Sequence, residues 1–504
     1  MTNFSAGTGI EVFFIKDWYA SAPRCRHGPM LLFEKFIHGK CQGRRYYACS
    51  ACRSRKECDA FLYEDDYNRK NKCGNESFYP CIYSQIHIGQ HQDDGSFLYE
   101  CTFKGLASLS PSERSFCRNC QIVRLEEYRQ KPTDKCFQHD IIKSLSLFNL
   151  FHPSREILPP LQEDKKNAQY FLNDRSLNFI LDILLQLKFT HIVCIGMPSL
   201  HEEIQYRKYF YHKNSEDITT IIDSILLDID KRYEQFSDQD KFCHFNMFNH
   251  YFIDESFDKL RNFVEKSESH SRICLVLDPP FGGLVDAIAN TLKWISSCSF
   301  PENSKSSKTE NLLPILWIFP YFMEKRITGA LPSLHMLDYQ VNYNNHNKFK
   351  KKITSTRISP VRIFTNIKTN DIVFPVDEGY RFCSRCDRYV AESNKHCKIC
   401  NNCPSKDGRT YVHCNECNFC VKPGRKHCKN CERCELDGHE CRKTGDLLGC
   451  HLCGKLTHKR RDCPLKNSQK NNDILPAKTI KTKANHAVFH RKSSHLKKRK
   501  YTFS

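Results

Sequence analysis

No stretch of this chain approaches twenty continuous apolar residues; the best runs, around Leu177–Leu187 and Leu312–Phe322, are shorter or carry a proline. A membrane-spanning helix is therefore not expected. The amino terminus lacks a basic-then-apolar leader, which predicts a protein that is not secreted. There is no full Gly-x-Gly-x-x-Gly, so a dinucleotide-binding domain would lack its fingerprint. Acidic residues are outnumbered: 57 Asp and Glu against 77 Lys and Arg, a formal net charge of +20. That excess chooses no fold, but it favours an anionic partner, with nucleic acid first. Cysteine is plentiful instead. Of 30 cysteines in 504 residues, half fall between Cys383 and Cys463. In a reducing compartment such density, at metal-site spacings, reads as zinc rather than disulfides.

Length and texture predict several units. They are a flexible amino terminus over 1–22, a first zinc finger over 23–70 and a second zinc-finger region over 71–145. An α/β domain over 165–370 follows, then a repeated Cys/His cluster over 380–442, a zinc knuckle over 448–465 and a basic, disordered tail over 466–504.

In the first finger, Cys25 and His27 precede a basic-aromatic stretch, Gly43-Arg44-Arg45-Tyr46-Tyr47, and then Cys49, Cys52 and Cys58. Four thiolate or imidazole groups close a structural zinc site. The stretch resembles the GRF zinc finger, although the Gly-Arg-Phe core reads Gly-Arg-Arg-Tyr here. That resemblance implies Cys25, His27, Cys49 and Cys58 as ligands, with Cys52 competing for the place of Cys49. It also implies single-stranded nucleic-acid binding, for which Arg44 and Arg45 would meet phosphates and Tyr46 and Tyr47 would stack on bases. The competing reading is that the two tyrosines only pack a small sheet. Cys117-x2-Cys120, followed by Cys136 and His139, has the spacing of a second site. Cys73, Cys81 and Cys101 supply a further site or are simply buried.

From about Gln169 to Asn366 the cysteines thin out and short apolar, β-branched runs alternate with helical patterns. Leu177–Leu187 reads as a helix. Ile192–Ile195, Ile225–Asp230, Ile273–Leu277 and Leu312–Phe319 read as buried strands, with Leu337–Tyr343 and Val361–Thr365 as a closing pair. Repeated strand–helix units imply a mostly parallel, Rossmann-like sheet with helices on both faces, and such sheets bind ligands outside their carboxyl strand ends. Gly196 at the first strand end lets a cofactor approach the backbone closely. Asp228 or Asp230, after the second, can accept ribose hydroxyls, and Asn246 is placed to meet an adenine.

Asp278-Pro279-Pro280-Phe281 follows the third apolar run. Paired prolines hold the backbone extended and remove two N–H groups, so the Pro279 carbonyl can face a ligand. Asp278 and that carbonyl can accept the two hydrogens of an exocyclic amine, and Phe281 can stack on a flipped base. The run resembles the Asp/Asn-Pro-Pro-aromatic motif of S-adenosylmethionine-dependent amino-methyltransferases, departing from the commoner Asn-Pro-Pro-Tyr at its first and last positions. Phe171, in Gln169-Tyr-Phe171, falls where these enzymes often place a further cofactor-contacting segment. In overall layout the chain resembles the zinc-knuckle adenine-N6 methyltransferases of large-subunit ribosomal RNA, over roughly Cys25 to Cys463. The resemblance implies an S-adenosylmethionine-dependent enzyme that methylates adenosine N6 in structured RNA, most simply ribosomal RNA, with zinc modules gripping the RNA. A non-catalytic, zinc-dependent RNA-binding scaffold on a decayed methyltransferase fold is the competing reading.

Cys383, Cys386, His396, Cys397, Cys400 and Cys403 recur, 31 residues on, as Cys414, Cys417, His427, Cys428, Cys431 and Cys434. This is an internal repeat whose purpose is metal binding. His413, Cys420, His439 and Cys441 lie nearby as extra ligands, and the pairings are not readable. Cys450-x2-Cys453-x4-His458-x4-Cys463 fits the CCHC knuckle at every ligand, a module that commonly reads single-stranded RNA. The tail ends in Lys497-Lys-Arg-Lys500, either a loose RNA contact or a nuclear and nucleolar address, with a cytoplasmic pool allowed.

Overall fold

The computed structural model describes residues 8–463, apart from 16, 38–39, 53–54, 73–102, 126–135, 137, 162–168, 215–221, 268–271, 300–311, 346–358, 440, 442–449 and 451–462. Cys73, Cys81, Cys101, Cys453, His458 and the basic tail thus lie outside the described residues.

The centre is an 8-stranded sheet. Its strands are β1 (His191–Ile195), β2 (Asp223–Asp228), β3 (Phe242–Asn246), β4 (Tyr251–Phe252), β5 (Ile273–Leu277), β6 (Ile315–Pro320), β7 (His335–Met336) and β8 (Val361–Thr365). They lie in the order β4-β3-β2-β1-β5-β6-β8-β7. The neighbours from β3 to β6 are parallel, while β4, β8 and β7 join antiparallel. The sheet is therefore mixed and Rossmann-like. Residues 337–343 follow β8 without a full ladder, through Leu337 N–H to Ile363 O (2.8 Å) and Val341 N–H to Val361 O (3.2 Å). Only β7 and β8 pair as regular strands there.

The parallel strands read as continuous apolar runs because both sheet faces are covered. Ile192 and Cys194 pack into one core with Ile180, Leu184 and Leu200, whereas Val193 and Ile195 pack into the other with Leu260, Ile288 and Leu292. Helices α1 (Asp174–Gln186) and α2 (Pro198–Asn214) cover the first face; α3 (Phe257–Glu265) and α4 (Val285–Ser299) cover the second. Each fully buried aliphatic side chain contributes roughly 1.5–3 kcal/mol relative to exposure. Helix α1 starts where the Asn173 side chain accepts the Ser176 N–H (3.0 Å) and ends before Lys188, whose φ of 57° breaks it. Among the described residues no helix is long and apolar enough to cross a membrane.

The zinc modules pack onto this domain. In the first finger the antiparallel strands run Thr8–Phe13, Leu31–Ile37, Tyr46–Ala48 and Phe61–Tyr63. The flexible stretch expected over 1–22 is corrected here: Thr8–Phe13 pairs with Leu31–Ile37 over its whole length. Phe13 and Ile15 of the Val12–Ile15 apolar run are half-buried against the finger's small core. The second finger joins the α1–α2 core directly through Phe116 and Val123. Its buried Arg114 donates to the carbonyls of Leu145 and Leu106, both at 2.7 Å. At the other end, Asp338 accepts the Ala391 N–H (2.9 Å) and the Asn394 amide (2.8 Å), fastening the carboxyl-terminal array to the domain.

Candidate active site and zinc centres

The cysteines and histidines converge in fours. Cys25, His27, Cys49 and Cys58 form one group and Cys117, Cys120, Cys136 and His139 another, the ligand atoms of each lying within 4.8 Å of one another. Cys49 Sγ is 3.4 Å from His27 Nδ1. Cys52 gives its backbone N–H to Cys49 Sγ (3.3 Å), and its own sulfur lies 3.7 Å from His27 Nε2, at the edge of the group. The carboxyl-terminal repeat resolves into an interlaced series: Cys383, Cys386, His396 and Cys403; Cys397, Cys400, His413 and Cys420; Cys414, Cys417, His427 and Cys434. A further set is Cys428, Cys431, His439 and Cys441, whose sulfur and Nε2 atoms approach to 3.4–3.6 Å. Each repeat copy, expected as one run of six ligands, thus feeds two centres. Thiolate and imidazole in fours fit Zn²⁺. Of the knuckle, Cys450 and Cys463 are described; both are buried, and they cluster with Phe36.

The turns that carry these ligands share a backbone signature. Gln121, Asp387, Asn401, Asn418 and Glu432 each directly follow the second cysteine of a Cys-x2-Cys pair, and each has φ between 48° and 58°. Asn and Asp tolerate this left-handed region, while Glu costs more. Replacing the exposed Glu432 by glycine should raise the stability of its hairpin by on the order of 1 kcal/mol, and replacing it by valine should lower it. Thermal unfolding of both variants should move in opposite directions.

The carboxyl ends of the parallel strands gather the other candidate residues. At the end of β1, Gly196 has φ 62°; a Cβ there would meet Met247 Cε at 2.7 Å and the Asp278 carbonyl at 3.7 Å. After β5, Asp278 is half-buried and accepts the Tyr343 hydroxyl on Oδ1 at 2.9 Å. Burial pushes its carboxyl up to about 8, against the opposing effect of that hydrogen bond. Rings surround it. Tyr170 and Phe281 stack at 5.5 Å and 19°, and Tyr343 meets them at 5.9 and 5.7 Å. The next loop residues turn sharply, Gly283 N–H reaching the Pro280 carbonyl at 2.6 Å.

Two segments far apart in sequence close over this motif. Asn345 accepts the Phe171 N–H (2.9 Å) and donates to the Gln169 carbonyl (2.8 Å). Gln169 in turn donates to Asp230 (3.1 Å). Asp230 is also gripped by the Arg232 guanidinium, whereas Asp228, buried at the end of β2, accepts the Asp230 N–H at 2.8 Å. Burial and the neighbouring Asp230 charge push the Asp228 carboxyl up to about 7. Phe171 lines a cavity of about 600 Å³ together with Leu172, Ser199, Glu202, Asn344 and Asn345.

Asn246 takes a part other than the expected one. Its amide donates to the His27 carbonyl (2.9 Å) and Ser50 Oγ (2.8 Å), and its oxygen accepts the Phe248 N–H (3.1 Å). The side chain is thereby spent on the first finger and has no polar hydrogen left for an adenine. On that finger Tyr47 is buried in the small core, as the packing reading expected. Tyr46 stacks between Phe33 and Phe61. Arg44 pairs with Asp65 (2.9 Å) and Asp66 (2.8 Å), and Arg45 with Glu34 (3.4 Å). Tyr170, Tyr343 and Asn345 were not singled out from the sequence. Tyr170 had a signal, lying between two residues already marked; Tyr343 and Asn345 had none.

Known proteins resemble this chain in sequence. A family model described as "Probable N6-adenine methyltransferase" matches residues 163–368. The rRNA N(6)-adenosine-methyltransferase ZCCHC4 of Homo sapiens is 44% identical over 462 residues, 91% of this chain and 85% of the human one. That of Xenopus tropicalis is 42% identical over 463 residues, covering 90% of this chain and 89% of its own, and that of Mus musculus is 41% identical over 462 residues, covering 91% and 85%. At 41–44% identity over 90–91% of its length, the chain belongs to the family of these rRNA N(6)-adenosine-methyltransferases.

Proposed function

We propose that this chain is an S-adenosylmethionine-dependent methyltransferase that acts on N6 of an adenosine in structured RNA, with ribosomal RNA as its substrate. The observation that carries this reading is the half-buried Asp278, held by Tyr343 and walled by Tyr170 and Phe281, at a parallel strand end beside Gly196. Tyr170 and Phe281 stack on each other at 5.5 Å, so a flipped purine would lie on the outer face of this ring pair and not between its members. The central sheet is read as a methyltransferase fold because the cofactor-type loop and the acid-proline-proline-aromatic loop leave adjacent strands, β1 and β5.

The cofactor fits what the residues offer. Gly196 permits close backbone approach and the buried Asp228 can take ribose hydroxyls. Asp230, already bound to Arg232 and Gln169, holds the covering segment in place. S-adenosylmethionine, when bound, supplies a methyl group on a sulfonium. The chain's own work is to orient the acceptor. Tyr343 occupies Oδ1 of Asp278, so an N6 hydrogen falls to Oδ2, and the nitrogen lone pair is aimed rather than deprotonated in advance. As positive charge develops on nitrogen, the carboxylate stabilises it and takes the departing proton.

The zinc fingers, the knuckle and Arg44 and Arg45 would hold the RNA backbone; the exposed pairs of Arg44 with Asp65 and Asp66 are worth little and can yield to phosphate, whereas Arg45 is anchored on the buried Glu34. A nuclear, chiefly nucleolar, location follows from the same reading. The test supplies the full chain with labelled S-adenosylmethionine and ribosomal RNA, then digests the RNA to nucleosides. Label in N6-methyladenosine is the expected result. Its absence, from protein shown to be folded and to bind both ligands, would overturn the assignment.

A further inference from the structure

We infer that the first zinc finger is a buttress of the cofactor and base site as well as an RNA-facing module, and that Asn246 and Asn249 are the positioning residues through which it acts. The inference rests on the reading of Gly196 and the Asp278–Gly283 loop as that site.

The link is one short hairpin. Strands β3 and β4 pair through Asn246 with Tyr251 and Phe245 with Phe252, so residues 247–250 form the turn between them. Facing the finger, Asn246 and Asn249 both donate to the carbonyl of the zinc-ligand candidate His27, each at 2.9 Å. Asn249 also donates to the Pro29 carbonyl at 2.8 Å, and Asn246 to Ser50 Oγ. Gly28, between those two carbonyls, has φ 95°, and a Cβ on it would lie 2.4 Å from the Tyr251 ring. The finger backbone is therefore pressed onto the hairpin with no room to spare. Behind it, His250 is stacked between Tyr19 of the finger segment (4.6 Å) and Trp294 of α4 (4.7 Å).

Facing the site, the two residues between the asparagines touch both of its loops. Met247 Cε abuts Gly196, and Phe248 Cε1 would lie 3.3 Å from a Cβ on Gly283. A four-residue turn thus has its polar side chains fixed by the finger and its apolar side chains set against the cofactor loop and the Asp278 loop. Buried amides with both hydrogens satisfied are costly to disturb, since Asn246 and Asn249 are at most 1% exposed. The Cys25, His27, Cys49 and Cys58 group fixes the His27 carbonyl, because its ligand and its carbonyl belong to one residue. Finger, turn and site form one rigid chain of contacts, and cofactor affinity depends on the finger even when no RNA is present.

The experiment is calorimetric binding of S-adenosylhomocysteine to the full chain without RNA. Asn249→Asp keeps the side-chain size but removes both donors. It is expected to weaken binding by about tenfold or more, the size found when a support behind a ligand-contacting group is lost. Met247→Ala, which leaves the finger clamp intact, should weaken binding as well, whereas Arg55→Ala on the finger surface should not. Hydrogen exchange on the unaltered protein gives a check that needs no variant: adding S-adenosylhomocysteine should slow exchange in residues 25–30 along with 246–251. Unchanged affinity in folded Asn249→Asp, or protection confined to 246–251, would overturn the inference. Failure of the unaltered protein to bind S-adenosylhomocysteine would instead overturn the functional reading, and this inference with it.

Discussion

Asp278→Ala is expected to lower the rate of methyl transfer by about 10²-fold or more, the loss that follows removal of a preorganised charge-stabilising group. Affinity for S-adenosylhomocysteine should stay nearly intact, because in the proposed arrangement the carboxylate holds the base and not the cofactor. Asp278→Asn is the sharper comparison. Asparagine still accepts an amine hydrogen and a Tyr343 hydrogen bond, but it carries no charge and takes no proton, so partial activity should remain. The two enzymes should differ most in their pH profiles. With the Asp278 carboxyl raised to about 8, the ionised form that stabilises the developing cation gains population as pH rises, so kcat/KM should climb towards a plateau above that value. The asparagine variant should lack the climb. Stability should move the opposite way. Between the unfolded carboxyl value near 4 and about 8, the unfolded chain has released this proton and the native chain has kept it. Native stability therefore falls as pH rises through that window and is flat above it. Asp278→Asn removes the loss, and it should melt higher than the unaltered protein at pH 8 while turning over more slowly. Full activity of Asp278→Ala, or a pH profile that Asp278→Asn leaves unchanged, would remove Asp278 from the chemistry.

What could be read from the sequence was whatever is local. The β1 and β5 runs, the glycine after one and the acid-proline-proline-aromatic run after the other, are each contained in about ten consecutive residues, and the structure has them on adjacent parallel strands. Tyr343 was illegible as a site residue because it meets Asp278 across 65 positions, from a segment whose pattern spoke only of an edge strand. Asn246 shows the limit from the other side. Its place at a strand end suggested a ligand, but strand ends are also where other modules dock, and its partner is 219 residues away. Thr8–Phe13 was passed over because an edge strand of mixed polarity has no signal until its neighbour, Leu31–Ile37, is in place. The zinc spacings were plain, but their pairings were not: adjacent residues such as His396 and Cys397 belong to different centres. Spacing gives the ligand types and leaves the crossing of the chain unstated.

That crossing leads to the second large effect. Chelation should unfold the array from Cys383 to Cys441 while the central sheet persists, and it should do so in one cooperative step. Three adjacent pairs set the expectation of cooperativity. His396 and Cys397 join the first centre to the second, His413 and Cys414 the second to the third, and His427 and Cys428 the third to the last. Emptying one centre frees a residue whose immediate neighbour is a ligand of the next, so no centre can relax alone. Beyond the first hairpin, which docks on the domain through Asp338 and the packing of Tyr389 and Ala391, little apolar contact holds the array together. Its own apolar cluster consists of Cys383, Val390 and Cys403 with Cys386 alongside, and Ile399, Val412, Phe419 and Leu436 are exposed. The central sheet, by contrast, has continuous cores on both faces. Zinc ligation contributes of order 10 kcal/mol per structural site at neutral pH, far more than such small apolar contacts can replace. The measurement is zinc release against added chelator, read with limited proteolysis and circular dichroism on the full chain. Mass spectrometry should first find at least six zinc ions per chain, one for each Cys/His group of the described residues. Cys400→Ser, at the second centre, should then cost more than one ion, because the first and third centres share its flanking pairs. Loss of a single ion with the other hairpins still protease-resistant would show the centres to be independent, and an unchanged proteolysis pattern after complete zinc removal would show that metal does not hold this region together.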